Sequence, residues 1–171
     1  MTNIDNREHA RSIRRRLHDH SLEIESLALE AMQVFTEGQL AAQMRWLKFE
    51  LTGYTSDAES SSIHQLLGLE PSDRLVVRVK TYRVQPGQIA DGPRKGAPFH
   101  HFFVEPLRAL TAAQAGLRTS ARDGQSVRLD FSVHESKPYL PAAGDFRADT
   151  FDRIVLGFRA VLHLQLGEVA A

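Results

Sequence analysis

The residues able to move a proton at neutral pH fall in a few places. His100 and His101 adjoin in FHHFFVE, with Glu105 close behind and His134 in a later segment. Imidazole serves as base, acid or metal ligand near pH 7. Neighbouring strand residues point to opposite faces, so at most one of His100 and His101 joins a site with Glu105 or His134. Half-buried strand histidines are the plainer account of the pair. His18-Asp19-His20 looks like a small metal motif, but a helix would hold i and i+2 about 200° apart. A metal ordinarily takes three or four ligands, and no HExxH spacing occurs. No metal site and no cofactor is therefore expected. Ser60, Ser61 and Ser62 with His64 lack a GxSxG elbow and read as a polar loop.

Positive charge is more concentrated than catalytic residues are. Arg11, Arg14 and Arg15 would share one face of a helix, with Arg16 and His18 nearby. Such a face holds phosphates, of a nucleic acid or a small nucleotide, or pairs with an acidic partner. A solvated helix face is the simpler alternative. Arg78 and Lys80 share one side of a strand, with Arg128 from a later strand as a possible neighbour and Arg83 on the opposite side. Arg94 and Lys95 sit at the tip of GPRKG, a candidate anion loop without the P-loop glycine spacing.

These residues need elements to position them, and the composition bounds what those are. The chain has 171 residues, 42% of them hydrophobic, enough for one domain over 1–171 with a core. Zero formal net charge argues against broad electrostatic capture of nucleic acid, though not against a local patch. The absence of cysteine excludes disulfides, thiolate metal sites and cysteine nucleophiles. The arginine-rich first twenty residues contain no apolar run and do not read as a signal peptide. No apolar stretch approaches the roughly 18 residues of a membrane span. A soluble, cytoplasmic protein is expected, with no membrane partner.

The pattern along the chain predicts an α+β fold. Residues 1–20 read as a basic N-terminal arm, frayed over 1–6 and helical or mobile over 7–20. A helical hairpin covers 21–54, with Ser21 as the N-cap of its first helix. Leu22, Leu27, Met32 and Phe35 mark that helix, flanked by Ile24, Leu29 and Val34. Thr36, Glu37 and Gly38 form the joint, and Thr36 and Gln39 stand at capping-box spacing. Residues 55–73 read as a loop carrying a helical turn or two. The sheet region spans 74–134. Its strands are 74–85, ended by Pro86 and Gly87, then 99–104 and 126–134, with a short helix over about 107–117 opened by Pro106. A loop covers 137–148. The closing helix, 149–168, begins at Asp149 and carries Phe151, Ile154, Val155, Phe158, Leu162 and Leu166 along one stripe.

The second hairpin helix is the most specific segment. In GQLAAQMRWLKFELTGY, Leu40, Met44, Leu47 and Leu51 recur along one face, widened by Trp46 and Phe49. Gln43, Arg45, Lys48 and Glu50 mark a wetter side. Gly53 suits a C-terminal cap, and Tyr54 folds back over the helix end with its hydroxyl near water. An ordinary capped core helix accounts for the spacing alone. Trp46, Glu50, Leu51, Gly53 and Tyr54 also resemble the AbiTii family, small bacterial proteins and domains linked to phage resistance. That family commonly has asparagine where this chain has Thr52. The Pro86-Gly87-Gln88 turn, FFVEPLRAL from Phe102 to Leu110, and IVLGFRAVLHLQL near the C-terminus are similar as well.

The resemblance implies a bacterial cytoplasmic protein of anti-phage defence and carries no catalytic residue. The first expectation is a non-catalytic module that recognises a partner protein, an effector or a phosphate-bearing ligand. Its surface would be the Trp46–Tyr54 helix end, the arm bearing Arg11, Arg14 and Arg15, or the loop bearing Arg94 and Lys95. The second is a nucleic-acid-cleaving enzyme or toxin using His100 or His101, Glu105 and His134. The third is a homo-oligomeric scaffold in which the stripe of the last helix is partly intermolecular.

Overall fold

A computed structural model of the chain describes residues 3–55, 67, 82–120, 126–130 and 143–171. The described elements are helices α1 (Asn3–Arg16), α2 (Ile24–Glu37) and α3 (Ala41–Thr52), strands β1 (Val84–Ile89) and β2 (Pro98–Phe102), helix α4 (Leu107–Ser120), strands β3 (Ser126–Asp130) and β4 (Ala143–Arg147), and helix α5 (Thr150–Ala170). The fold is α+β, as its sequence pattern predicts: helices with one antiparallel sheet of order β2-β1-β4-β3.

Neither a frayed terminus nor a mobile arm describes the N-terminal segment from Asn3 onward. Asn6, Ala10, Ile13 and Leu17 recur at helical spacing and are all buried. The basic run Arg14, Arg15 and Arg16 lies in the last turn of α1, where cations offset the helix dipole. Chain entry to α2 also differs from expectation. Ser21 donates to the Asp19 carboxylate instead of capping, and α2 starts at Ile24 after Glu23. Ile24, Leu27, Ala28, Ala31, Val34 and Phe35 form its buried face, while Leu22 and Leu29 are exposed.

Helices α2 and α3 pack on each other across the short joint. No side-chain capping box forms there: Leu40 precedes α3 without a cap hydrogen bond, and Gln39, not Gly38, takes positive φ (55°). Gly53 does end α3 with positive φ (94°), and its N–H donates to Phe49 O. A Cβ there would lie 3.1 Å from the Val104 carbonyl oxygen.

Of the predicted strand at 74–85, residues 74–81 lie outside the described residues. The visible strand does not stop at Pro86-Gly87. It runs through them to Ile89, in register with β2 from Val84↔Phe102 to Gln88↔Pro98. Gly87 is required there by the Phe146 ring, which would stand 2.7 Å from an added Cβ. Residues 143–147, expected within a loop, form β4. This strand joins β1 at Gln88↔Asp145 and Ile89↔Gly144, and β3 from Ser126↔Arg147 to Asp130↔Ala143. The predicted helical turns within 55–73 lie outside the described residues, apart from Leu67.

The whole predicted stripe of the closing helix is buried. It is covered within the chain, chiefly by α1 and also by α4 and α2. An intermolecular partner is not needed to bury it. At the sheet end, Phe103 packs edge-on against Phe146 and Phe151 (centroids 5.4 and 5.5 Å).

Candidate functional site

Packing α1 on α5 brings Arg11, Arg14, Arg15 and His18 to the same groove as His163 of α5, with Glu8 at its edge. The groove has a volume of about 410 Å³. Arg11 is partly committed to structure. It donates to the Ala170 carbonyl through Nε and Nη2 (3.2 and 2.9 Å) and to Glu8 Oε1 through Nη1 (2.9 Å). These bonds satisfy a carbonyl at the α5 terminus and occupy Glu8, the one acidic lining residue among those described.

Arg14 and Arg15 form no ion pair among the described residues. The Arg14 Nε–H is buried without a hydrogen-bond partner among them, and the guanidinium lies over Gly167, where an added Cβ would be 3.5 Å from it. The His18 and His163 rings meet edge to face, centroids 5.2 Å apart. Burial first, then the Arg14 and His18 charges, holds His163 below its usual 6.5. A local excess of donors and positive charge therefore lines a groove whose only lining carboxylate among the described residues, Glu8, is already bound. An oxyanion fits that chemistry. Sequence periodicity grouped the three arginines correctly; His163 joins them only through the α1–α5 contact.

The other predicted contact surface is interior. Trp46 is fully buried and Tyr54 is 5% exposed, so the helix end is not a docking surface. Glu50, read from its neighbours as lying on the wet side, is also fully buried, as is Arg83. Arg83 donates to both Glu50 oxygens, through Nε (3.2 and 3.0 Å) and Nη2. Its Nη1 donates to the carbonyls of Phe103 (2.6 Å) and Glu105 (2.8 Å).

The Tyr54 hydroxyl, expected near water, donates to Glu50 Oε1 (2.6 Å). So does the Tyr82 hydroxyl, which also accepts from Trp46 Nε1 (3.4 Å). Arg83 lies over the Tyr54 ring, 4.9 Å from its centroid. Burial and the facing Glu50 charge push both tyrosines well above their usual 10. Burial alone would lower Arg83, but Glu50 outweighs it and the guanidinium is held above its ordinary range. Each polar group thus has a charged or hydrogen-bonded answer. Trp46, Glu50, Gly53 and Tyr54 thus meet Tyr82 and Arg83 at a junction between α3, the residues before β1 and the segment after β2.

The proton-transfer candidates are not brought together among the described residues. His100 is exposed, and His101 lies on the other side of β2 among aromatic rings, 4.8 Å from Phe103 and 6.0 Å from Phe146. Burial pushes His101 down to about 4, so it is neutral at pH 7. Glu105 contributes its backbone carbonyl to Arg83. His134 lies outside the described residues, as do Ser60, Ser61, Ser62, His64, Arg78 and Lys80. No group of three metal-ligating side chains occurs among the described residues.

Arg94 and Lys95 are exposed in the β1–β2 turn, where Gly92 and Gly96 take positive φ. Arg83 is interior, and Arg128 pairs with Asp145 (3.2 Å) and Asp91 (3.6 Å).

The fold and groove define an α+β protein with a basic inter-helix groove. No described helix is long and apolar enough to cross a membrane. No protein family, curated protein or solved structure matches the chain.

Proposed function

We propose that the chain is a non-catalytic recognition protein whose α1–α5 groove binds a phosphate-bearing ligand. One observation carries the reading: Arg14, Arg15, His18 and His163 converge while the lining carboxylate, Glu8, is held by Arg11. The AbiTii resemblance supports a bacterial, cytoplasmic setting in anti-phage defence, where recognition would be passed to a partner or effector protein. The groove accepts a small nucleotide or the backbone of a nucleic acid, since both present the same oxyanion.

Calorimetric titration with inorganic pyrophosphate, and separately with a short single-stranded oligonucleotide, tests the reading. Arg14→Ala with Arg15→Ala should weaken binding by about tenfold or more, because charge-assisted hydrogen bonds are lost. Added salt should weaken it too. No binding of either probe at low salt, or binding indifferent to both substitutions, would overturn the proposal.

A further inference from the structure

A second groove lies between α2 and α3, on a surface separate from the basic one. Met32, Thr36, Gln39, Ala41, Met44, Arg45 and Lys48 line it, and its volume is about 580 Å³. Two of the chain's three methionines are on this wall. Thioether side chains are flexible and polarisable, and suit surfaces that must repack around a partner. The Thr36 hydroxyl is tied to the Met32 carbonyl (2.7 Å), so the wall has little unmet polarity.

Among the described residues that line the groove, the charged ones are both cations, Arg45 and Lys48. Arg45 and Lys48 are exposed and form no ion pair among the described residues. The Arg45 guanidinium lies 6.0 Å from the Phe49 ring centroid, beside α3. No carboxylate is among the described residues that line the groove; Glu37, one residue beyond Thr36, keeps its charge and accepts from the Gln33 amide (3.0 Å). Glu50 faces inward to Arg83. An apolar floor between two helices with an unpaired cationic rim is complementary to an amphipathic helix with acidic flanks.

We infer that the α2–α3 groove docks an acidic amphipathic helix of a partner protein. Apolar side chains at i, i+3 or i+4, and i+7 would lie over Met32, Ala41 and Met44. Carboxylates beside that stripe would meet Arg45 and Lys48. The site is independent of the α1–α5 groove, so either can fail without the other.

The test is selection of random peptides displayed on yeast against the intact chain, followed by binding measurements on the enriched peptide. The expected peptide carries helical apolar spacing with Glu or Asp beside it. It should shift the Met32 and Met44 methyl resonances and lose about tenfold in affinity for the Arg45→Glu, Lys48→Glu double variant. Both residues are exposed, and unchanged far-ultraviolet circular dichroism would establish that the variant is folded.

The proposal is overturned if no peptide is enriched, if the enriched peptides are basic or extended, or if binding is indifferent to the charge reversals. Concentration-dependent dimerisation abolished by the same reversals, without an acidic peptide enriched, would assign the groove to a second copy and also overturn it.

Discussion

The Glu50 carboxylate meets the Arg83 guanidinium through both of its oxygens, and neither side chain reaches solvent. The pair joins α3 to the residue before β1, with Tyr54 and Tyr82 donating to the same carboxylate. Desolvating two charges opposes their attraction, so such a pair adds little over an apolar replacement. Breaking it is different, because one charge is left buried alone. Glu50→Gln should destabilise the fold by about 3–5 kcal/mol. The Glu50→Gln, Arg83→Met double variant should lose clearly less than the sum of the two single losses. Urea denaturation of the four proteins in this cycle measures the coupling, and additive losses would refute the pairing.

Gly157 of α5 is explained by Tyr82 rather than by backbone freedom. An added Cβ would stand 2.1 Å from Tyr82 Cβ, too close for a rotamer change to relieve. Propensity alone predicts that alanine stabilises a helix by about 1 kcal/mol over glycine. Gly157→Ala should instead destabilise by about 1–3 kcal/mol, the range for overpacking. Gly116 of α4 is the internal control, since beyond its own helix backbone no heavy atom of the described residues lies within 4 Å of its added Cβ. Gly116→Ala should raise the melting temperature while Gly157→Ala lowers it. A rise in both would mean that α5 does not approach Tyr82 this closely.

Much of this arrangement is written in local spacing, and the misses have identifiable causes. The stripe of α5 and the glycine cap of α3 are legible because periodicity and backbone requirement act within one segment. The face of α1 was hidden because Asn6 and Ala10 supply half of it and arginines surround it. Glu50 reads as wet when grouped with its polar neighbours Gln43, Arg45 and Lys48, although Trp46, Glu50 and Tyr54 follow one another at i+4, the spacing of one helix face. Its counter-charge, Arg83, is distant in sequence, and no local rule pairs them. Strand β4 reads as loop because prolines and a glycine mark residues 137–148; pairing with β1 and β3 overrides that signal over 143–147. Likewise, the arginine face of the candidate groove was visible, but His163 needed the tertiary contact.

Alkaline pH probes the buried tyrosines. Tyr54 and Tyr82 are held well above their usual 10 by burial and by Glu50. A raised folded-state value means that the unfolded chain loses the phenol proton first. The associated stability is fully present below pH 10 and falls as pH rises above it. Tyr54→Phe and Tyr82→Phe should each be less stable at neutral pH, by about 1 kcal/mol or more, through the lost hydrogen bond to Glu50. Each should also show a shallower decline above pH 10. Phenolate absorbance provides a second check: two of the three tyrosines should titrate only as the protein unfolds. Ordinary titration of all three in the folded protein would contradict the network.

His163 gives the basic groove a pH signature. Burial, followed by the charges of Arg14 and His18, keeps it below 6.5 in the ligand-free fold. Its lowered value means that stability from the neutral imidazole is present above 6.5 and is lost as pH falls through the folded value. A bound oxyanion adds negative charge beside the ring and favours the imidazolium. Binding should therefore take up a proton and strengthen as pH falls below 6.5. Inorganic sulfate is the suitable probe, because its own charge stays constant across this range. Its affinity should rise several-fold as pH falls from 6.5 toward the lowered ligand-free value of His163, and sulfate should move the His163 titration midpoint upward in nuclear magnetic resonance spectra. His163→Phe should flatten the dependence while Arg14 and Arg15 still support weaker binding. A pH-independent affinity in the unsubstituted protein would remove His163 from the site.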